Sequence, residues 1–244
     1  MKILLAPSET KTEGGEDCLN LDNLLFKELK DTRLKLINSY QDIIISSTTQ
    51  ELKNFLGIKK ESEIEKYIVN LLKEPTKKAI QRYSGVAFDY LNYNSLNDIE
   101  QKYIDENVIL FSNLFGVLRA NDKIPNYKLK QGTTLNGIKT DKVYNSLLKD
   151  LLDEYLKDED ILDIRAGYYD KFYKPNRKYT TLKFLKNGKV VSHWAKAYRG
   201  LIVNICAKNG ISSINELIRL EIPQLQILEI IETKRKQEII YEVE

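Results

Sequence analysis

The sequence of 244 residues is poor in the side chains that form most catalytic and metal sites. It contains one histidine, His193, and two cysteines, Cys18 and Cys206. Because histidine and cysteine are the usual zinc ligands, this scarcity excludes a His-rich zinc site and a Cys-x-x-Cys pair. A catalytic triad would need His193 as its base, and iron would be left with carboxylate ligands, which suit harder ions. We expect no metal site and no cofactor.

Long apolar runs are missing as well, and the sequence pattern predicts no secretory leader. Runs such as Ile43–Ile45 and Val108–Phe111 are far shorter than the roughly 20 residues that cross a bilayer. The N-terminal apolar stretch ends at Pro7 and the acidic Glu9 follows, unlike the pattern of a signal peptide. Two distant cysteines fit a reducing compartment. We therefore expect a cytoplasmic protein without membrane contacts.

The apolar residues that are present predict a mixed α/β fold. Short apolar runs predict buried strands at Lys2–Leu5, Val108–Phe111 and Asp160–Arg165, and Asn187-Gly188 predicts a hairpin. Helices are predicted at Leu19–Ser39, Thr48–Gly57, from Ser62 onward, Lys77–Leu91 with a break at Ser84-Gly85, Ser95–Glu106, Val143–Tyr155 and Lys196–Ala207, and Ile214–Leu220 and Leu225–Ile231 as helical or mixed segments. No repeat or linker divides the chain. We expect one domain, residues 1–244, with helices packed on a mixed sheet.

The near-neutral total charge hides a strongly basic segment. The chain has 38 basic and 35 acidic residues, yet Arg165–Arg199 holds ten basic residues and one acid, Asp170. This segment carries a net charge of +9, which leaves −6 for the rest. Aromatic residues alternate with the cations, so the segment predicts a surface that contacts phosphates and stacks on unpaired bases. The alternative is a solvated lysine-rich face over core aromatics.

Polar side chains follow two of the predicted strands. Ser8, Glu9 and Lys11 come after the first strand, and Asp163 and Arg165 end another. Ligands of open α/β sheets gather beyond the carboxyl ends of strands, so these residues could converge into a pocket. The further members of the predicted pocket are Ser192 and Lys196. The alternative is an internal salt-bridge network that holds the loops. We interpret the lone His193 as structural.

Five sequence blocks, in this order, resemble the YaaA family of peroxide stress resistance proteins. They are Ala6-Pro7-Ser8-Glu9-Thr10-Lys11 with Gly14-Gly15; Tyr83-Ser84-Gly85-Val86 with Asp89; Ser112-Asn113-Leu114-Phe115-Gly116-Val117-Leu118-Arg119 with Asp122, Pro125, Tyr127 and Leu129; Asp163-Ile164-Arg165-Ala166-Gly167-Tyr168; and Ser192-His193 with Lys196 and Arg199-Gly200. The first block resembles the branch that reads P-S-E-x-K, and not the branch that reads P-A-K-x-L. The resemblance spans nearly the whole chain.

This resemblance implies a "cantaloupe" α/β fold with a positively charged cleft and a helix-hairpin-helix type element. It also implies DNA binding and a role in limiting iron-dependent oxidative damage to DNA and protein, with no established catalytic activity. Ser112–Gly116 could form the hairpin turn, with Arg119 one helical turn onward, and Ser84-Gly85 is the second candidate. Alternatively, both are ordinary turns between elements.

The function predicted from the sequence is therefore a DNA-binding protective protein of the peroxide stress response. Its partner is DNA, contacted without sequence preference, and Tyr173 is predicted to stack on unpaired bases. The predicted DNA contacts are Arg119, Lys128, Lys171, Lys174, Arg177, Lys196 and Arg199. The alternative is an enzyme that acts on nucleic acid or a nucleotide through a pocket formed by Glu9, Lys11, Asp163 and Arg165.

Overall fold

A mixed eight-stranded sheet forms the centre of the molecule. The structure, a computed structural model, describes residues 1–191 and 194–244. Its strands are β1 (Lys2–Leu5), β2 (Glu16–Cys18), β3 (Pro75–Lys78), β4 (Val108–Ser112), β5 (Gly116–Arg119), β6 (Lys123–Pro125), β7 (Ile161–Asp163), β8 (Tyr179–Lys186), β9 (Lys189–Val190), β10 (Leu225–Glu232) and β11 (Lys236–Val243). The order in the large sheet is β10-β11-β8-β7-β1-β4-β5, with β9 paired to β8. A smaller antiparallel sheet has the order β2-β3-β6.

The middle of the large sheet is parallel and fully buried. β1 pairs in parallel with β4 on one side and with β7 on the other, and β7 continues in parallel to β8. All five residues of β4 are buried, as expected for a strand covered on both faces. Both β1 and β4 were predicted from their apolar runs. Their carboxyl ends, with that of β7, meet at one edge of the sheet.

Helices surround the sheets and match most of the sequence-based expectations. They are α1 (Lys30–Ser46), α2 (Thr49–Leu56), α3 (Ala79–Arg82), α4 (Val86–Leu91), α5 (Asp98–Asn107), α6 (Thr140–Tyr155), α7 (Trp194–Asn209) and α8 (Ile214–Arg219). The capping box at Thr48 is present, and Gly57 ends α2 in a left-handed conformation. Fold class and mixed sheet are therefore confirmed, and so is the break at Ser84-Gly85 between α3 and α4.

Three segments differ from the predicted elements. The helix predicted from Leu19 begins only at Lys30, because Phe26 has a φ of 58° and the Leu25 N–H donates to Asp122 Oδ2 at 2.8 Å. The helix predicted from Ser62 consists of short 3-10 turns. Leu225–Ile231, for which the sequence predicts a helical or mixed segment, forms most of β10 and pairs antiparallel with β11.

The turn Ser112–Gly116 is not part of a helix-hairpin-helix element. It connects β4 to β5 as a β-hairpin, with Ser112 opposite Gly116. The N–H groups of Leu114 and Phe115 donate to Ser112 Oγ at 3.2 and 2.9 Å, so they are not available to a phosphate. Arg119 ends a strand and does not lie one helical turn onward. The prediction for this turn was therefore wrong, because an apolar run followed by glycine fits both structures.

Candidate functional site

A cavity of about 450 Å³ lies beyond the carboxyl ends of β1, β4 and β7. Each of the three strands leads into its wall: Ala6 follows β1, Asn113 follows β4, and Ile164 follows β7. Three adjacent parallel strands thus end at one ligand-sized space, the usual position of a binding site in an open α/β sheet. The remaining wall comes from the start of α4, the Tyr127–Gln131 segment and α7.

Backbone hydrogen bonds fix the Ser8–Thr12 loop against the segment that joins α3 to α4. Thr12 N donates to Arg82 O at 2.8 Å, and Ser84 N donates to Thr10 O at 3.1 Å. The Thr10 hydroxyl donates to Ser84 O at 2.8 Å. The close contact needs glycine at position 85. Its backbone φ of +108° is rarely adopted by residues with a side chain, and a Cβ would lie 3.3 Å from Thr10 Oγ1. The loop therefore has a defined position over the cavity.

Arg82 holds the same loop from below. Its side chain is fully buried and donates to the carbonyl oxygens of Thr12, Gly14, Pro75 and Ile124. One guanidinium thus satisfies four backbone acceptors, two in the loop and two in the strands β3 and β6. This clamp was not predicted from the sequence, where Arg82 is one basic residue among many.

The side chain of Lys11 packs against two tyrosine rings. Its Nζ lies 4.1 Å from the centre of the Tyr127 ring and 5.2 Å from that of Tyr83. Among the described residues, its hydrogen-bond acceptor is the Ser8 carbonyl at 3.4 Å, and no carboxylate lies within ion-pair distance. Burial lowers the pKa of Lys11 most, the positive charge of Lys128 lowers it next, the Glu9 carboxylate raises it and Arg82 lowers it; together they bring it from 10.5 to about 7.

Hydrogen bonds lock the two tyrosines under Lys11. Tyr127 Oη lies 2.9 Å from Tyr83 Oη and 2.7 Å from Ser112 Oγ. Since Ser112 Oγ already accepts two backbone N–H groups, its own hydroxyl donates to Tyr127. Burial raises the pKa of both phenols above the usual value, so both stay neutral. The rings therefore form a fixed, uncharged floor beneath the lysine.

Two buried polar atoms beside the cavity have no hydrogen-bond partner among the residues that the structure describes. Asn113 is 8% exposed, and its Oδ1 is buried without a partner. Nε of Arg199, on α7, is likewise buried and unpartnered. Unsatisfied buried polar atoms are uncommon in native proteins, and both residues line the cavity. A bound ligand with a donor and an anionic group would satisfy them.

The predicted pocket residues separate into two groups. Ser8, Glu9 and Lys11 line the cavity together with Lys196, as the sequence suggested. Asp163 and Arg165 are not among the residues that line it. Ser192 and His193 lie outside the described residues.

Asp163 and Arg165 instead form an internal ion pair. Arg165 Nη2 lies 2.6 Å from Asp163 Oδ2, and Arg165 Nε donates to Asp163 Oδ1 at 2.8 Å. The guanidinium also donates to the carbonyls of Tyr169 and Tyr173, and it lies 4.3 Å from the centre of the Phe111 ring. This pair fixes the turn after β7, as in the internal salt-bridge network that the sequence offered as the alternative to a pocket.

The predicted DNA contacts lie around more than one cleft. Lys196 and Arg199 line the cavity, and Lys128 lies close enough to depress the pKa of Lys11. Lys171 borders a small neighbouring cleft and lies over the Tyr168 ring, and Lys174 is exposed on the chain that follows.

Two predicted cations are engaged elsewhere. Arg119 pairs with Asp122 at 2.8 Å and lines a separate cleft. Arg177 donates to Leu156 O at 2.6 Å and lines another. The structure therefore does not bring these two arginines to the cavity.

Most aromatic rings of the basic segment belong to the core. Tyr173 is 1% exposed, and its hydroxyl donates to Asp153 Oδ1 at 2.9 Å, so it cannot stack on a base. Tyr169, Phe172 and Tyr198 are buried as well. Trp194, at 52% exposure, is accessible at the start of α7. The stacking prediction for Tyr173 was wrong because composition alone does not distinguish a core ring from a surface ring.

Comparison with known proteins identifies relatives along almost the full length. The family model for the peroxide stress protein YaaA matches residues 1–230. An uncharacterized protein of Campylobacter jejuni is 45% identical over 244 residues, which are 100% of this chain and 99% of that protein. A UPF0246 protein of Corynebacterium efficiens is 37% identical over 218 residues, 85% of each chain. This chain belongs to the YaaA peroxide stress family.

Membership of the YaaA family confirms the resemblance recognised in the sequence. The blocks that carried it supply much of the cavity wall, including Ser8, Lys11, Gly85, Asn113, Tyr127 and Arg199. Among the described residues, no group of three or more His, Cys, Asp or Glu side chains could hold a metal ion. In the same part of the chain, no helix is long and apolar enough to span a membrane.

Proposed function

We propose that this YaaA family member acts in the peroxide stress response by binding DNA at the cavity, without sequence preference. In this way it limits iron-dependent oxidative damage to DNA and protein. The supporting observation is an excess of unpaired cations at the cavity. Lys196 and Arg199 line it and Lys128 lies beside it, and among the described residues none of the three is within ion-pair distance of a carboxylate.

The cavity suits a distorted or unpaired strand better than an intact duplex. Its volume of about 450 Å³ is that of a small-ligand site, large enough for one extruded nucleotide. Asn113 Oδ1 could accept from an exocyclic amino group of that base. Lys196 and Arg199 would contact the flanking phosphates. The Ser84-Gly85 turn between α3 and α4 stays the candidate for a hairpin that contacts backbone phosphate.

A salt titration with matched variants tests this proposal. Binding to duplex, bubble and single-stranded DNA is measured by fluorescence anisotropy over a salt series, for the wild type and for a Lys128→Ala, Lys196→Ala, Arg199→Ala triple variant. Each phosphate contact contributes about 0.9 to the slope of log K against log salt on duplex, and about 0.7 on single strands. The triple variant should therefore flatten the duplex slope by up to about 2.7.

The control removes the same charge from elsewhere. Lys102, Lys157 and Lys208 are exposed residues that do not line the cavity, and their replacement by alanine should leave the slope unchanged. Equal slopes for both triple variants would place the DNA surface away from the cavity. Peroxide sensitivity of cells that carry the cavity variant then tests the protective role.

A second candidate function is an enzyme that acts on nucleic acid or a nucleotide. The observation that favours it is a lysine of pKa about 7 that lines the cavity with the Glu9 carboxylate. A neutral amine and a carboxylate in one pocket can exchange protons with a ligand near neutral pH. Asp163 and Arg165, which were expected to take part, bind each other in an ion pair instead of lining the cavity.

A further inference from the structure

Lys11 is partly buried and, among the described residues, has no carboxylate within ion-pair distance. Lys78, for comparison, pairs with Asp105 at 2.6 Å and also donates to Tyr93 Oη, and these bonds raise its pKa. Lys11 has a carbonyl oxygen at 3.4 Å, two aromatic rings and neighbouring positive charge. The two rings attract the ammonium through their π faces, whereas burial and the positive charge of Lys128 disfavour it.

The lone pair of a neutral lysine makes it a nucleophile for carbonyl carbon. Lysines that form Schiff bases are activated by desolvation and by adjacent cations, and Lys11 has both. It lines the 450 Å³ cavity, so a ligand can reach it. The other groups that bear on its Nζ charge from the surrounding elements are Lys128, Glu9 and Arg82. The rings beneath it, Tyr83 and Tyr127, remain neutral.

The cations across the cavity indicate what the carbonyl compound carries. Lys196 and Arg199 lie on α7, and Arg199 Nε has no partner within residues 1–191 and 194–244. Guanidinium and ammonium groups bind phosphate through charge-assisted hydrogen bonds. Glu9 is the one carboxylate among the described lining residues, so the site as a whole favours an anion. A compound that would fit both Lys11 and the cations of α7 is a phosphorylated sugar with an aldehyde group.

We propose that Lys11 captures the aldehyde of a phosphate-bearing sugar as a Schiff base, with Lys196 and Arg199 holding the phosphate. The Nζ lone pair attacks the aldehyde carbon and forms the C–N bond. The carbonyl oxygen then leaves as water with the two protons lost from Nζ, which gives the imine. The amine and the aldehyde thus yield the imine and one water, without oxidation or reduction. Glu9 can relay the protons.

Two sources present this chemistry. One is the ring-opened deoxyribose of an abasic site, an aldehyde flanked by DNA phosphates, and the other is a free aldose phosphate. The inference rests on the proposed use of the cavity as an anion site. It adds a covalent step that DNA binding alone does not require.

Reductive trapping tests the step. The full chain is incubated at pH 7 with sodium cyanoborohydride and one of three probes: an abasic-site duplex, the same duplex intact, or glyceraldehyde 3-phosphate. The trapped product is quantified on denaturing gels and located by peptide mass spectrometry. We expect a secondary amine at Lys11 with the abasic duplex, with glyceraldehyde 3-phosphate, or with both, and none with intact duplex.

Two lysine-to-arginine variants make the assignment specific. Lys11→Arg retains a long basic side chain, but its guanidinium cannot form an imine, and it should lower trapping by about tenfold or more. Lys208→Arg makes the same change at an exposed lysine on the last turn of α7, and it should trap like the wild type. Trapping that is spread over surface lysines, or that persists in Lys11→Arg, overturns the inference.

The three probes, together with the salt titration, distinguish a failure of this inference from a failure of the proposed function. If abasic and intact duplexes bind with the expected salt dependence but neither aldehyde probe is trapped, covalent capture is wrong while DNA binding stands. If glyceraldehyde 3-phosphate is trapped at Lys11 but no DNA binds, the capture stands for a free sugar phosphate and DNA binding fails.

Discussion

Gly200 allows α7 to approach α4 closely, and its replacement by alanine should displace α4. A methyl group at Gly200 would lie 1.9 Å from the Ala87 carbonyl oxygen and 2.8 Å from its carbon. Because both atoms belong to the backbone, no side-chain rotation can relieve the overlap. One turn further along α7, Asn204 Nδ2 donates to Leu91 O at 2.7 Å and ties the same two helices together. Relief therefore requires about 1 Å of movement between packed helices.

The expected net effect is a loss of about 2 kcal/mol in the free energy of unfolding. Overpacking in a rigid contact costs about 3 kcal/mol, the upper part of its usual range. Alanine is favoured over glycine inside a helix by about 1 kcal/mol, which offsets part of this cost. Urea denaturation of wild type and Gly200→Ala measures the difference, with an unchanged m-value if only the native state is affected.

Gly167→Ala is the matched control. Gly167 lies just after the β7 turn, has no heavy atom within 4 Å of the added methyl position, and does not need a left-handed backbone. Its replacement should be neutral or stabilising by up to about 1 kcal/mol. Since α4 begins with Val86 and Ala87, which line the cavity, Gly200→Ala should also weaken DNA binding. Equal stability and equal binding in the two variants would refute the packing argument.

Two further predictions concern the groups under the cavity. Arg82→Met leaves several carbonyl oxygens without a donor and should lower the free energy of unfolding, measured by urea denaturation, by about 3 kcal/mol. The same change at the exposed Arg219 should have little effect. The pKa of Lys11 is about 7 in the folded protein against 10.5 in the unfolded chain, so the unfolded state binds more protons between these two pH values. The free energy of unfolding of the wild type, relative to that of Lys11→Met, should therefore rise with pH through this window. Urea unfolding at several pH values from 6.5 to 9.5 measures this difference, and a difference that falls with pH would contradict the neutral lysine.

The elements that could be predicted depend on local chemistry. The hairpin at Asn187-Gly188 forms because both residues accept a positive φ, 51° and 71°, as a tight two-residue turn requires. The capping box at Thr48 is likewise complete within four residues. The cavity position followed from a general property of parallel sheets, once buried strands were assigned. In each case a few neighbouring residues determine the outcome.

The elements that could not be predicted depend on tertiary partners. Nothing near Tyr173 in sequence shows that its ring is enclosed and that its hydroxyl reaches Asp153. The Ser112–Gly116 turn was ambiguous because the same residues suit a helix or a strand hairpin, and pairing with β5 decides between them. The family blocks did include Tyr83 and Tyr127, but only the structure shows that they lie together beneath Lys11.

Buried arginines hold irregular chain in this fold and contribute little charge to its surface. Arg33 donates to the carbonyls of Leu25 and Val117, as well as to those of Phe26 and Phe115. Arg82 and Arg165 do the same for the loops after β1 and β7. Chain that leaves a sheet in irregular conformation carries carbonyl groups without ladder partners, and a guanidinium with five donors can satisfy several at once. Arg82 and Arg165 hold the chain that leaves β1 and β7 toward the cavity, so the cations open to the proposed DNA partner are those without a carboxylate partner among the described residues, such as Lys196 and Arg199.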